Sequence, residues 1–252
     1  MKLAKRTIDH RRNRKTSERV AADIIKEIID QDLQPGTRLP PEHEMVEMFN
    51  VSRMSLREGL RILEVNGLIS LRAGPNGGPI VGSAEPEHFA RAMTMFFEMR
   101  GTTFQELMQA MVTIEPVMAR LAAERVARGD ASELQELREV LEAHANLDPK
   151  NLTGYFHLCE NFHRIVVGLS GNSILDMFSV SLCEIIREPA RTEPQPATRW
   201  TQVRDEHAAV GQAIIDGDGA RAEALMTEHM HKFSSSFSRR YGPMIKSKLG
   251  WL

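Results

Sequence analysis

Apolar residues recur on a helical repeat over most of the chain, and the interruptions mark where elements begin and end. Val20, Ile24, Ile25 and Ile28 stripe residues 17–29 at the spacing of an amphipathic helix. A turn at Gln34-Pro35-Gly36 and a stiff Leu39-Pro40-Pro41 follow, then a short helix over 42–49 and a tight link at Asn50-Val51. Residues 52–65 carry two stripes side by side: Leu56, Leu60 and Leu63 on one, and Arg53, Arg57 and Arg61, every four residues, on the other. Asn66-Gly67 stops that helix with a residue that tolerates left-handed backbone. Two short extended pieces, 68–71 and 79–82, then flank the glycine-rich stretch from Arg72 to Gly78.

From Pro86 onward every pattern is helical. The spacing predicts helices over 87–99, 104–127 with a kink at Pro116, 132–146, 152–169 and 173–187, the last stopping before Pro189. A proline-rich loop at 189–196 leads to helices over 198–216 and 220–235, joined at Gly217-Asp218-Gly219. Six or seven antiparallel helices with short turns make a bundle. The expected fold is therefore mainly α: an N-terminal winged helix-turn-helix domain with a small β wing, followed by an all-α antiparallel helical bundle. The expected divisions are a flexible basic arm at 1–16, the winged helix-turn-helix at 17–84, a helical domain at 85–240 and a tail at 241–252.

Composition narrows the function classes. The chain has 252 residues, 42% hydrophobic and 26% charged, with no run of eighteen apolar residues to span a membrane. The first residues lack the apolar core of a signal peptide, so the expected location is the cytoplasm. Cys159 and Cys183 are too few for a disulfide framework. The net charge of −2 hides an asymmetry: residues 1–84 hold fourteen Lys or Arg against eleven Asp or Glu, and the remainder eighteen against twenty-three. The basic part is the one with the helix-turn-helix order, a weak pointer to nucleic acid. Seven Lys or Arg within residues 1–15 suit an arm that adds phosphate contacts, or a tail without consequence.

The stretch PGTRLPPEHEMVEMFNVSRMSLREGLRILEVNGLI, with the glycine-rich wing after it, resembles the GntR family of bacterial transcription regulators. Family members set the start of the third helix in the major groove and the wing tip near the neighbouring minor groove. Carried over position by position, the resemblance makes Arg53 and Arg57 the principal groove residues, with Ser52 and Ser55 as hydrogen-bonders to phosphate or base. Arg72 and Gly74 would be the wing contacts. Two residues depart from the family: His43 stands where an arginine is usual, which makes a phosphate contact there weaker or pH-dependent, and Ala73 stands where some relatives have a polar wing tip. The implied partners are a double-stranded DNA operator and a second copy of the chain.

A looser resemblance covers residues 103–233, where ELMQAMVTIEPVMARLAAERV, NFHRIVVGLSGNSIL and EHAAVGQAIIDGDGARAEALMTEHM follow the order of the ligand-sensing domain of the FadR subfamily. Within it His207 and His229 can be paired by spacing alone, because each lies eleven residues from Asp218 at the centre of the turn. In an antiparallel hairpin, equal distance from the turn means equal height. The resemblance adds His163 as the third member of a divalent metal site, with Zn²⁺ first and Mn²⁺ or Ni²⁺ open. Cys159 stands one turn before His163, where metal-binding relatives carry Asp; it is either a thiolate ligand or a neutral thiol beside a three-histidine site.

Met108, Met111, Glu115 and Asn172 are the candidates for an effector pocket. Relatives that sense small carboxylates have an arginine one turn before the Glu of this long helix, and here that residue is Met111. The expected effector is thus a carboxylate or acyl compound larger and more apolar than a two- or three-carbon acid. These patterns point to a ligand-responsive transcription regulator, a repressor acting as a homodimer. A metal-sensing regulator is one alternative. A metal-dependent hydrolase is the other, opposed by the lack of a placed general base.

Overall fold

The structure, a computed structural model, describes residues 15–74, 77–130, 134–148, 151–191 and 197–249. The expected basic arm lies outside them except for its last two residues, as do Pro75 and Asn76 of the wing and residues 192–196 of the proline-rich loop. The chain forms two compact units, Met1–Phe89 and Ala90–Leu252, so the division falls a few residues beyond the expected one.

In the first unit, α1 (Thr16–Asp30), α2 (Glu42–Phe49) and α3 (Arg53–Val65) precede β1 (Ile69–Arg72) and β2 (Gly78–Val81). Val20, Ala21 and Ile24 of α1 meet Leu56, Leu60 and Leu63 of α3, with Met45, Ile69 and Val81 completing the core. Each fully buried aliphatic side chain contributes roughly 1.5–3 kcal/mol. The helices α1 and α3 approach closely at Gly59, where a Cβ would come within 3.0 Å of the Ser17 carbonyl and of Val20. Asn50, in the left-handed region at φ 48°, closes α2. Gly67 does the same after α3 at φ 69°, and its N–H donates to Glu64. The strands pair antiparallel, Ile69 opposite Val81 and Arg72 opposite Gly78, and Arg38 bridges to Ile80 on the other side of β2. The order helix, helix, recognition helix, wing is thus the one the sequence predicts.

The second unit takes most of α4 (Pro86–Arg100), followed by α5 (Phe104–Ala127), α6 (Leu134–Asn146), α7 (Leu152–Leu169), α8 (Ser173–Arg191), α9 (Ala197–Ile215) and α10 (Gly219–Tyr241). Thr103 and Glu106 form a reciprocal capping box at the start of α5, and that helix runs on through Pro116. α10 packs along α5, where Ala119, Ala122, Ala123 and Ala222 are fully buried and allow close approach. Phe162, Leu169, Ile214 and Met226 fill the centre.

Two expectations need correction. Helix α8 does not stop before Pro189 but continues to Arg191: a proline inside a helix removes one backbone donor and need not end it. The segment set apart as a tail is not loose over its described part. A short 3₁₀ helix, Gly242–Lys246, is followed by a backbone bridge between Lys248 and Thr103, and Ile245 and Leu249 are buried.

Candidate functional site

The first unit presents the DNA-facing candidates at the start of α3. Ser52 is the N-cap: its Oγ accepts from the Ser55 backbone N–H at 3.1 Å and lies 2.9 Å from the Ser55 hydroxyl. The two hydroxyls therefore hold the helix start as well as offering hydrogen bonds. Arg53 is exposed. Arg57 is also largely exposed, but its Nε donates to Glu42 Oε2 at 2.8 Å, an ion pair across the turn from α2 to α3. Neither Glu42 nor Met54, an exposed methionine between the arginine positions, is singled out by sequence reasoning. His43 is exposed in the first turn of α2, 3.8 Å from Glu44. Arg72 ends β1, and Gly74 adopts φ 107°, a conformation that favours glycine at the wing tip.

In the second unit, α7, α9 and α10 bring three histidines together. His229 Nε2 lies 3.3 Å from His207 Nε2 and 3.3 Å from His163 Nε2. The pairing of His207 with His229 predicted from their distances to Asp218 therefore holds, and His163 joins them. Behind the ring nitrogens stand two carboxylates: Glu206 Oε2 accepts from His229 Nδ1 at 2.8 Å, and Glu115 Oε2 faces His163 Nδ1 at 3.2 Å. A carboxylate on Nδ1 fixes the proton there and leaves Nε2 with its lone pair. Glu115 is completely buried, and its other oxygen accepts from the Ser179 hydroxyl of α8 at 2.9 Å. Arg199 and Lys232 flank Glu206 at 3.5 and 3.3 Å.

The donor set fits a divalent metal. Zn²⁺–nitrogen bonds of about 2.0–2.1 Å in tetrahedral array put neighbouring nitrogens about 3.3–3.4 Å apart, the separation seen here. Three lone-pair nitrogens facing one another also repel unless a cation or a proton lies among them. Burial pushes the pKa of His207 well down, and burial likewise lowers that of His229 despite the Glu206 contact, which opposes it. Both are thus neutral, the ligating form. His163, His207 and His229 would hold the metal; Glu115 and Glu206 would orient two of them.

Other candidates lie elsewhere. The Cys159 thiol is not grouped with this trio: it lies with His144 and His207, its Sγ 3.9 Å from His144 Nε2, and burial pushes its pKa up to about 12. Met108 and Met111 sit in the main core at 1% and 5% exposure, so they are packing residues and not the lining of an open pocket. Asn172 is exposed and its Oδ1 caps α8 by accepting from Ile174 and Leu175 N–H. His144, which sequence reasoning does not single out, is 4% exposed. Its height does not mirror that of Cys159 about the intervening turn, so spacing could not have paired them.

Acid should loosen this unit. Burial lowers the pKa of His144 to about 4, and those of His207 and His229 fall in the same direction. The unfolded chain, with ordinary histidines near 6.5, then binds more protons than the folded one, so stability rises with pH across this window. Melting curves of metal-stripped protein should drop steadily from pH 7 to pH 4.5. A flat profile over that range would contradict the burial of these imidazoles.

The chain matches two family models: "Bacterial regulatory proteins, gntR family" over residues 16–75 and "FCD domain" over 106–232. It is similar to the HTH-type transcriptional regulator LutR of Bacillus subtilis, 26% identical over 207 residues that take in 79% of this chain and 90% of LutR. It is also similar to the HTH-type transcriptional repressor NanR of Enterobacter sp. (strain 638), 25% identical over 240 residues, 93% of this chain and 90% of NanR. Among solved structures, Streptococcus agalactiae GntR superposes with a TM-score of 0.69 at 21% identity, over 87% of this chain and 99% of that one, which supports the fold.

Proposed function

The chain belongs to the GntR family of bacterial regulators and carries an FCD domain after its DNA-binding helices, and from that premise we propose a repressor that binds a palindromic operator as a homodimer. It acts in the cytoplasm on double-stranded DNA. Its effector is a small metabolite, a carboxylate or acyl compound, held at a metal-containing site in the helical domain. The relatives are transcription regulators and not enzymes, and among the described residues no helix is long and apolar enough to cross a membrane.

The observation that carries the sensing half is the convergence of His163, His207 and His229 with their Nε2 atoms facing inward. The metal, when bound, supplies a Lewis-acidic centre with positions open to an oxygen ligand. The chain's own part is to hold neutral imidazoles in place through Glu115 and Glu206. An effector oxygen seated there would bridge helices from separate parts of the bundle. It shifts the DNA-binding equilibrium only by its differential affinity for two arrangements, typically about 1–3 kcal/mol.

A second reading, in which the metal itself is the signal, is favoured by Met111 replacing the expected acid-binding arginine and by its burial in the core. Gel-shift titration separates them. With an operator selected from random DNA, the first reading expects inverted half-sites, two chains per duplex, and a response to carboxylates only when metal is present. Response to Zn²⁺ or chelator alone supports the second. A footprint confined to one asymmetric half-site at saturation would refute the dimeric operator.

A further inference from the structure

Beside the three-imidazole centre lies a second set of donors that the reading above does not use. His144 Nε2 on α6 and Cys159 Sγ on α7 are 3.9 Å apart, and a ring nitrogen of His207 on α9 lies within 4.8 Å of both. A thiolate and an imidazole on one tetrahedral Zn²⁺, at about 2.3 and 2.0–2.1 Å, stand about 3.6 Å apart, so a small adjustment would suffice. His207 supplies the second, independent observation. Its Nε2 is turned to His229 at 3.3 Å, while its Nδ1 is buried and makes no hydrogen bond. A buried ring nitrogen without a partner is costly unless something binds it.

The surroundings suit a soft cation. Tyr155 hydrogen-bonds Cys159, and Trp200 and Val203 pack with Tyr155 into a small apolar cluster around it. Such a wall excludes water, and a hydroxyl donated to sulfur stabilises thiolate when a metal is bound. His207 stacks on Phe162, ring centroids 4.0 Å apart at 14°, and stands edge-on to His144 at 5.2 Å, which fixes the ring between the two donor sets.

We propose that this domain has a second, thiophilic cation site formed by His144 Nε2, the Cys159 thiolate and His207 Nδ1; as the second ion binds, the His207 Nδ1 proton and the Cys159 thiol proton pass to solvent, and His207, as an imidazolate, offers one ring nitrogen to each of two adjacent ions. A Zn²⁺-class ion suits thiolate plus imidazole better than a hard, oxygen-seeking one. The proposal shares His207 with the site proposed above and otherwise rests on its own donors.

Cobalt substitution tests it, because Co²⁺ bound by thiolate gains a near-ultraviolet charge-transfer band that Co²⁺ bound by imidazole alone lacks. Metal-stripped full-length protein titrated with Co²⁺ should take up two equivalents per chain, one carrying that band. Cys159→Ser and His144→Gln should each lose the band and one equivalent while keeping the other. His163→Ala combined with His229→Ala should do the reverse, retaining the banded equivalent alone. One equivalent without the band refutes the second site and leaves the three-histidine centre standing. A band that survives His144→Gln but vanishes with His163 and His229 makes Cys159 a fourth ligand of the first centre, and also overturns the proposal. No uptake at all defeats both. Should His144→Gln fail to fold, the Cys159→Ser and His163/His229 variants still decide.

Discussion

Replacing Arg53 and Arg57 with alanine is expected to abolish operator recognition while the melting temperature of the first unit barely moves, since both side chains are exposed. A bidentate contact from arginine to guanine is worth roughly 1–3 kcal/mol, so the double variant should lose on the order of a hundredfold or more in affinity for the operator. Binding to random DNA should weaken much less. The two single variants should not be equal. In Arg57→Ala the carboxylate of Glu42, now 2.8 Å from Arg57 Nε, loses its partner and faces the phosphates, so this variant should fall further than Arg53→Ala. Adding Glu42→Gln to Arg57→Ala should recover part of the difference. Operator affinity unchanged in both single variants, at fixed salt, would take α3 out of the groove.

The other large effect concerns the buried imidazoles. His207→Ala together with His229→Ala removes donors from the centre of the helical domain, and thermal unfolding should then no longer respond to Zn²⁺ or to chelator. In the wild type, an ion at a thousand times its dissociation constant stabilises the folded state by about 4 kcal/mol. DNA binding by the variant should persist yet ignore the effector, because Arg53 and Arg57 are untouched. A variant whose melting point still climbs with Zn²⁺ as the wild type's does would place the stabilising ion elsewhere. Glu206→Gln offers a milder counterpart: it keeps the hydrogen-bond length to His229 but not the charge, and should weaken retention without emptying the core.

Element types and most boundaries were legible because they depend on local periodicity and on a few punctuating residues. The stripes on α1 and α3 and the glycine after α3 each act within a turn of chain. The pair His207 and His229 was legible for a related reason: a hairpin converts distance along the sequence into height. What could not be read depends on contacts between elements distant in sequence. Glu115 looks like a pocket residue in a string of letters, yet it is a fully buried tie among α5, α7 and α8. Which way Cys159 turns, toward the three-histidine centre or toward His144, is settled by the rotamer and the packing of Tyr155 and Trp200. Pro189 misled because a helix end was inferred from the missing donor alone, whereas a helix can run through a proline, as α8 does to Arg191.

The bridge between Lys248 and Thr103 gives the helical domain a mechanical property. Phe104 N–H donates to the Ser247 carbonyl at 3.3 Å and Leu249 N–H to the Thr102 carbonyl at 2.9 Å, so residues near the two ends of this unit are latched side by side. Tension between those ends would load the latch first. It would come away as a peeling strip, one hydrogen bond at a time, before any load reached the interface of α5 with α10. The bundle thus has a weak outer clasp that bypasses a strong interior, and the imidazoles between α7, α9 and α10 stay shielded from strain until the clasp has opened.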